Sequence, residues 1–305
     1  MISVLKKYQY HIYVTISFTI TSHLLNTMFQ AIIALLMIFS IGIIHGANDL
    51  QLIQRKTQKK TNTFFFSTLT LYIGVVFAGV ILFFLLPAFG LLFFVTFSAF
   101  HFGEQHLSEK LVSAKSTFLK YGLYLGYGFV LFGMLFTLQW TEVHQVIYQI
   151  SGVFVSKREM ELLFYAGLFL FLVSGILVSA FRKLIFVELL ILILLGYLFS
   201  NVSLLLGFGI YFVVWHSIPS IQDQLHYLYP SGKHRLKQYL TSSLPYWLMS
   251  LFGLGFVYFY FDFYATHFLP LFFSFLAAIT FPHTVVMGWL KLSEKKEAIK
   301  GNDKV

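Results

Sequence analysis

The chain has 305 residues, of which 58% are hydrophobic, 20% aromatic and only 11% charged, with a formal net charge of +9. Apolar stretches of about 18 residues or more recur along its whole length, which is the pattern of a polytopic membrane protein without a soluble domain long enough to fold apart. Cysteine is absent, which excludes disulfides, iron–sulfur clusters and thiolate chemistry and leaves histidine, carboxylate and hydroxyl groups for any reaction.

Backbone groups in lipid must be bonded within their own segment, and no segment shows the period-2 alternation of an outer-membrane barrel, so the spans are expected to be α-helices. Ten hydrophobic segments are present in chain order: residues 8–25, 28–46, 64–86, 88–103, 118–139, 162–181, 184–200, 203–218, 244–261 and 266–290. The first is rich in Thr, Ser and Tyr, and its end, "TSHLLNTMFQ", lacks a small-residue cleavage pattern, so it reads as a helix rather than a leader. The segments at 88–103, 184–200 and 203–218 are short for a bilayer. The expected fold is all-α: one membrane-embedded helix bundle of about 8 to 10 transmembrane helices over residues 1–305. It has an extra N-terminal segment at 1–27 and a basic cytoplasmic tail at 291–305. No internal repeat or low-complexity tract appears.

Charge tests the count. With the N-terminus inside and ten crossings, 19 of the 21 Lys and Arg residues fall on the cytoplasmic side, and only Lys157 and Arg158 fall outside. The net positive charge is thereby a matter of topology, and no basic patch interleaved with aromatics on a soluble module points to nucleic acid. A cytoplasmic-membrane protein with both termini inside is expected.

Polar residues can then be placed by depth. His45 ends the second segment in "GIIHGAND", His101 ends the fourth in "FSAFHFGEQH", His216 ends the eighth in "YFVVWHSIPS", and His283 lies in the cytoplasmic half of the tenth in "TFPHTVVM". Four helices thus bring a histidine to one face of the membrane, the way a bundle builds a metal or cofactor site. An all-imidazole site suits iron or copper slightly ahead of zinc, and the spacing alone does not choose among them. Gly46 and Ala47 allow close approach, Asp49 stands one helical turn beyond His45 to orient its imidazole, and Pro282 can kink the last helix toward the site.

His106 lies five positions beyond His101, roughly 140° around an ideal helix, so both can face one metal only if the helix ends at Gly103. Gln105, Glu104, Gln222 and Asp223 read as hydrogen-bonding or interfacial partners. Glu188, inside the seventh segment, either partners a site histidine or extends to the surface. His11, His23, His144, His234 and His267 carry no motif and read as interfacial. Among the many aromatics, Phe97, Phe100, Phe102, Phe212 and Trp215 stand next to the histidines and are the candidates for contact with an apolar substrate. Two other classes would also keep histidines in spans. A transporter should break its helices at mid-membrane, often with inverted repeats, and a haem or quinone-linked electron carrier needs paired axial histidines.

These motifs resemble those of the Brp/Blh family, bacterial membrane proteins that include beta-carotene 15,15'-dioxygenases, over residues of about 38 to 290. "IIHGAND" at 43–49 is similar to the family's P-H-G-A-x-D block, "HFG" at 101–103 to its second, "WHS" at 215–217 to its third, and "FPHTVVM" at 281–287 to its C-terminal P-H block. The resemblance implies a ferrous iron held by His45, His101 and His216, dioxygen as co-substrate, and central cleavage of a lipid-dissolved carotenoid to retinal, in a bacterial inner membrane. A member that binds or modifies a carotenoid without cleaving it is the alternative. Ile44 replaces the family's usual proline. Ser220 stands where W-H-x-x-x-H would place a second histidine, so His283 or His106 completes the site, or water does, or metal affinity falls; of these His283 is the expected fourth ligand, with Ser220 beside the site.

Reporters fused after Lys120 and Lys237 are expected to read cytoplasmic, and one near Lys157 external; an external signal at Lys120 would break the ten-crossing arrangement.

Overall fold

A computed structural model describes residues 2–59, 61–260 and 268–302; His267 and residues 303–305 of the basic tail lie outside the described residues. Among the described residues the secondary structure is helical throughout. Thirteen α-helices are described: α1 (Ile2–Ser22), α2 (Thr27–Met37), α3 (Asp49–Thr57), α4 (Asn62–Leu85), α5 (Pro87–Leu107), α6 (Thr117–Leu138), α7 (Trp140–Ser151), α8 (Lys157–Leu177), α9 (Ile185–Asn201), α10 (Leu204–Ile210), α11 (Ile218–Leu228), α12 (Arg235–Tyr260) and α13 (Phe268–Asn302). Two π-helical segments, Ile38–Gly42 and Tyr211–Ser217, extend α2 and α10.

Local chemistry sets the ends. Asn26, Thr61 and Ser116 each accept a hydrogen bond from the backbone N–H three residues on, and Ser156 forms a reciprocal capping box with Glu159. Pro87 opens α5, where its missing N–H costs nothing and its ring prevents α4 from running on.

Each of the ten expected segments is mainly helical over its described residues, but among the described residues seven helical runs are long and apolar enough to cross a membrane: 62–85, 87–111, 117–138, 157–177, 204–228, 235–259 and 268–290. That is below the expected 8 to 10. Residues 27–42 and 185–201 are apolar but shorter, at about 24–26 Å of helix by the 1.5 Å rise. α1 is 21 residues long, but with Lys6, Lys7, Gln9 and His11 beside its hydroxyl groups it is too polar to be one of the seven. Conversely, the short segments at 88–103 and 203–218 belong to longer helical runs.

The chain forms two compact units, residues 1–45 with 95–222, and residues 46–94 with 223–305. In the first unit every side chain from Leu204 to Ser217 is buried, with α2 packed along α10 and α1 along α9. α6 lies against α8 along a seam of glycines: a Cβ on Gly126 would sit 2.6 Å from the Phe171 nitrogen, and one on Gly167 2.6 Å from the Phe129 Cβ. Such close contact supplies the dispersion energy that apolar burial cannot provide between helices in lipid. In the second unit α4 lies along α13, with Phe281 filling the gap at Gly79, and α3 meets both.

Gly126→Ala is expected to destabilise the detergent-solubilised protein by about 1–3 kcal/mol through overpacking against backbone. Gly253→Ala, which meets nothing within 4 Å, should not lower the melting temperature.

Candidate metal centre

In the first unit three of the expected ligands come together. The ring centroids of His101 and His216 lie 5.0 Å apart and those of His45 and His216 5.1 Å apart, and all three side chains are buried. His101 is carried on α5, His216 lies in the π-helical segment Tyr211–Ser217, and His45 stands in the turn that follows the π-helical segment Ile38–Gly42; the two π-helical segments pack against each other. A π turn holds one more residue than an α turn, so it rotates the residues beyond it and often marks a functional position. Here the two turns meet at Gly42, where a Cβ would stand 3.0 Å from the Phe212 ring. Ser217 Oγ donates to the Phe212 carbonyl at 2.8 Å. His45 Nδ1 donates to the Gly42 carbonyl, which places the proton on Nδ1 and leaves Nε2 as the nitrogen with a lone pair to give.

The donor chemistry fits a transition-metal ion. Three imidazoles without a thiolate or carboxylate among them suit iron, copper or zinc. Apolar faces surround the donors. Phe102 lies 4.6 Å from His216, and Phe212 lies 5.3 Å from His45 and 5.7 Å from His216. The other aromatic candidates are placed differently. Phe100 turns to Tyr121 and Tyr124, Phe97 is exposed, and the Trp215 indole turns to α1.

The helix end at Gly103 that a metal shared by His101 and His106 would require is not formed. α5 runs unbroken through it, and Gly103 is small because the Tyr124 carbonyl of α6 passes where a Cβ would stand. His106 therefore faces another way, as the 140° spacing requires. Its Nε2 donates to Glu188 Oε2 at 2.7 Å, and its ring stacks on Tyr127 at 4.6 Å. Glu188 is fully buried, and its second oxygen accepts from Lys110 Nζ at 2.7 Å. Lys110, counted as a loop charge in the topology, is thus a largely buried partner within the unit.

Asp49 is also reassigned. Residues 45–48 form turns rather than helix, so the one-turn spacing that put Asp49 beneath His45 does not apply. In the second unit its carboxylate accepts from His283 Nδ1 at 2.9 Å and from the Tyr72 hydroxyl at 2.9 Å. This carboxylate–imidazole pairing fixes the tautomer of His283. Neighbouring Asn48 ties α3 to α12, donating to the Tyr239 carbonyl at 3.2 Å and accepting from Ser242 Oγ at 2.8 Å. Ser220 is fully buried, four residues beyond His216, whereas Asp223 is exposed.

Sequence reasoning missed Tyr72, which is a lone phenol in a span that reads as oily filler, and Thr15, one of several hydroxyls in α1. Neither belongs to a motif. A buried carboxylate's need for donors was the only signal for Tyr72.

A family model described as beta-carotene 15,15'-dioxygenase matches residues 36–291. No curated protein and no solved structure matches the chain.

Glu188→Ala leaves Lys110 and His106 without their carboxylate in a buried place and is expected to cost about 3–5 kcal/mol. Lys7→Ala removes only the exposed ion pair with Glu109 and should cost under about 1 kcal/mol. Denaturation in matched detergent would read both.

Proposed function

Since this chain belongs to the beta-carotene 15,15'-dioxygenase family, we propose that it is an Fe(II)-dependent enzyme that cleaves the central double bond of a carotenoid, beta-carotene giving retinal. The observation that carries the reading is the buried rings of His45 and His101, each about 5 Å from that of His216, all three within the matched residues. His45, His101 and His216 would hold the ion. When bound, Fe(II) supplies the redox chemistry by which dioxygen adds across a carbon–carbon double bond and yields two aldehydes.

The chain's own part is to bind, orient and keep dry. The Nδ1–carbonyl bond of His45 presents Nε2 to the ion, and the π turn sets the direction of His216. Phe102 and Phe212 offer apolar faces for a polyene that carries no polar atom to be matched. No proton has to be moved for the overall cleavage, which agrees with a site made of imidazoles and phenyl rings. His283, expected as the fourth ligand, has the Asp49 partner that metal-bound imidazoles usually have. The proposal extends to a bacterial cytoplasmic membrane with both termini inside, in agreement with the charge asymmetry.

Ser220 favours a second reading. A buried hydroxyl four residues beyond His216 is a poor ligand, so a weaker enzyme, or a member that binds or modifies a carotenoid without cutting it, is the alternative.

In beta-carotene-accumulating cells the wild-type chain should bleach the orange colour and produce retinal. His45→Ala, His101→Ala and His216→Ala should each lower bound iron in the purified protein at least tenfold and abolish retinal, with His23→Ala and His144→Ala unchanged. A loss at His283→Ala equal to that at His216→Ala would make it the fourth ligand. Ser220→His should raise iron occupancy. Carotenoid retained intact by an iron-loaded wild type would favour the second reading, and full iron in all three alanine variants would sink the metal site.

A further inference from the structure

α1 lies ahead of the family-matched residues 36–291 and buries one row of its hydroxyl-bearing side chains. Tyr8, Thr15, Thr19 and Ser22 are buried at a spacing of seven, four and three, whereas Tyr10, Tyr13 and Ile20 are more than half exposed. Thr19 and Ser22 satisfy their hydroxyls on their own helix, donating to the carbonyls of Thr15 at 2.8 Å and Thr19 at 2.7 Å. Thr15 differs, because its Oγ1 also accepts the indole N–H of Trp215 at 2.9 Å, and Trp215 is the residue before His216. Tyr8 stacks on the same indole with centroids 5.8 Å apart. The Tyr8 ring is itself held in place by Lys110, whose Nζ stands 4.8 Å from its centroid, and Lys7 pairs with Glu109 at 2.5 Å. The hydrogen bond and the stacking contact dock α1 onto the turn that bears His216, and the two lysine contacts fasten it to the end of α5.

Resting on the metal reading above, we propose that α1 is a strap that positions a ligand: Thr15 and Tyr8 are positioning residues that hold Trp215, and through it the π turn, so that the His216 imidazole points at the ion. The physical case is the cost of the π turn. It has poorer hydrogen bonding than an α turn and can relax by one residue. Relaxation would rotate Trp215 and His216 together, by roughly 100° as one residue does in a helix. Inside an apolar bundle the indole N–H needs an acceptor, and Thr15 offers it only in the observed register.

Co(II) is the probe, since its visible bands report coordination number and its uptake is read without turnover. Thr15→Val keeps the volume and removes the acceptor. It should weaken Co(II) binding about tenfold, the loss usual for a group that orients a ligand, and alter the band intensities. Thr15→Ser should restore binding to within about twofold, and Thr21→Val, at an exposed hydroxyl on the same helix, should change nothing. Trp215→Phe should weaken binding to a similar degree, and Thr15→Val added to it should weaken it no further. Equal Co(II) affinity and spectra in wild type and Thr15→Val overturn the strap alone, as does full additivity of the two substitutions. A wild type that takes up no Co(II) overturns the metal reading and the strap with it.

Discussion

A polar side chain inside a lipid-embedded bundle must be met by another protein group, because no water is there to meet it. That requirement organises much of this chain. Glu188 is tolerable at full burial because His106 and Lys110 reach its two oxygens. Asp49 is tolerable because His283 and Tyr72 do the same. Thr15 and Trp215 solve the same problem for an indole N–H. Each solution joins residues far apart in sequence, so the partners also fix which helices pack and at what height. Buried polar groups that are partnered in this way specify an arrangement more than they stabilise it.

The same rule bears on the histidine trio. Bringing the rings of His45 and His101 each to about 5 Å from that of His216, among apolar faces, takes polar atoms out of water. The expense is met by shape. Small residues let helices approach until backbone touches side chain, as at Gly42 beside Phe212 and Gly103 beside Tyr124. The π turns then aim side chains that a regular α-helix would carry elsewhere. Packing along α5 and α6 and the direction of His216 are thus parts of one construction. An apolar surround also suits the reaction proposed, because a conjugated hydrocarbon binds through faces rather than hydrogen bonds.

His101 and His106 illustrate how one short stretch supports two different environments. Five residues of unbroken helix separate them, and the resulting angle sends one to the trio and the other to Glu188. "HFGEQH" is therefore two half-motifs facing opposite ways rather than one paired ligand set. α1 adds a related lesson. Its hydroxyl-rich composition looked like a weak span, and the structure buries one row of those hydroxyls, Tyr8, Thr15, Thr19 and Ser22, with Tyr10, Tyr13 and Ile20 outward.

By itself the sequence determined that the chain is helical and membrane-embedded, because hydropathy over 18 or more residues is a local property that no tertiary contact has to supply. It also singled out His45, His101, His216 and His283 as a group by their motif contexts, which His23 and His234 lack. Helix ends were legible to a few residues at Asn62–Leu85, Thr117–Leu138 and Ile185–Asn201 but not at Leu204–Leu228 or Arg235–Tyr260, where polar residues continue the helix, and the count was not legible because Thr27–Gly42 and Ile185–Asn201 fall near the length at which spanning depends on neighbours. Partners were legible only in part: Glu188 could be offered to a histidine, but which one was not legible. Asp49 was assigned to His45 by helical spacing, and only the turn at residues 45–48 and the packing of α13 against α3 gave it to His283. Gly103 could be a helix end or a contact point by sequence alike, and the carbonyl of Tyr124 decided for contact. Spacing along a chain is fixed by covalent geometry, whereas the identity of the group on the next helix depends on rotation and height, which only the folded packing sets.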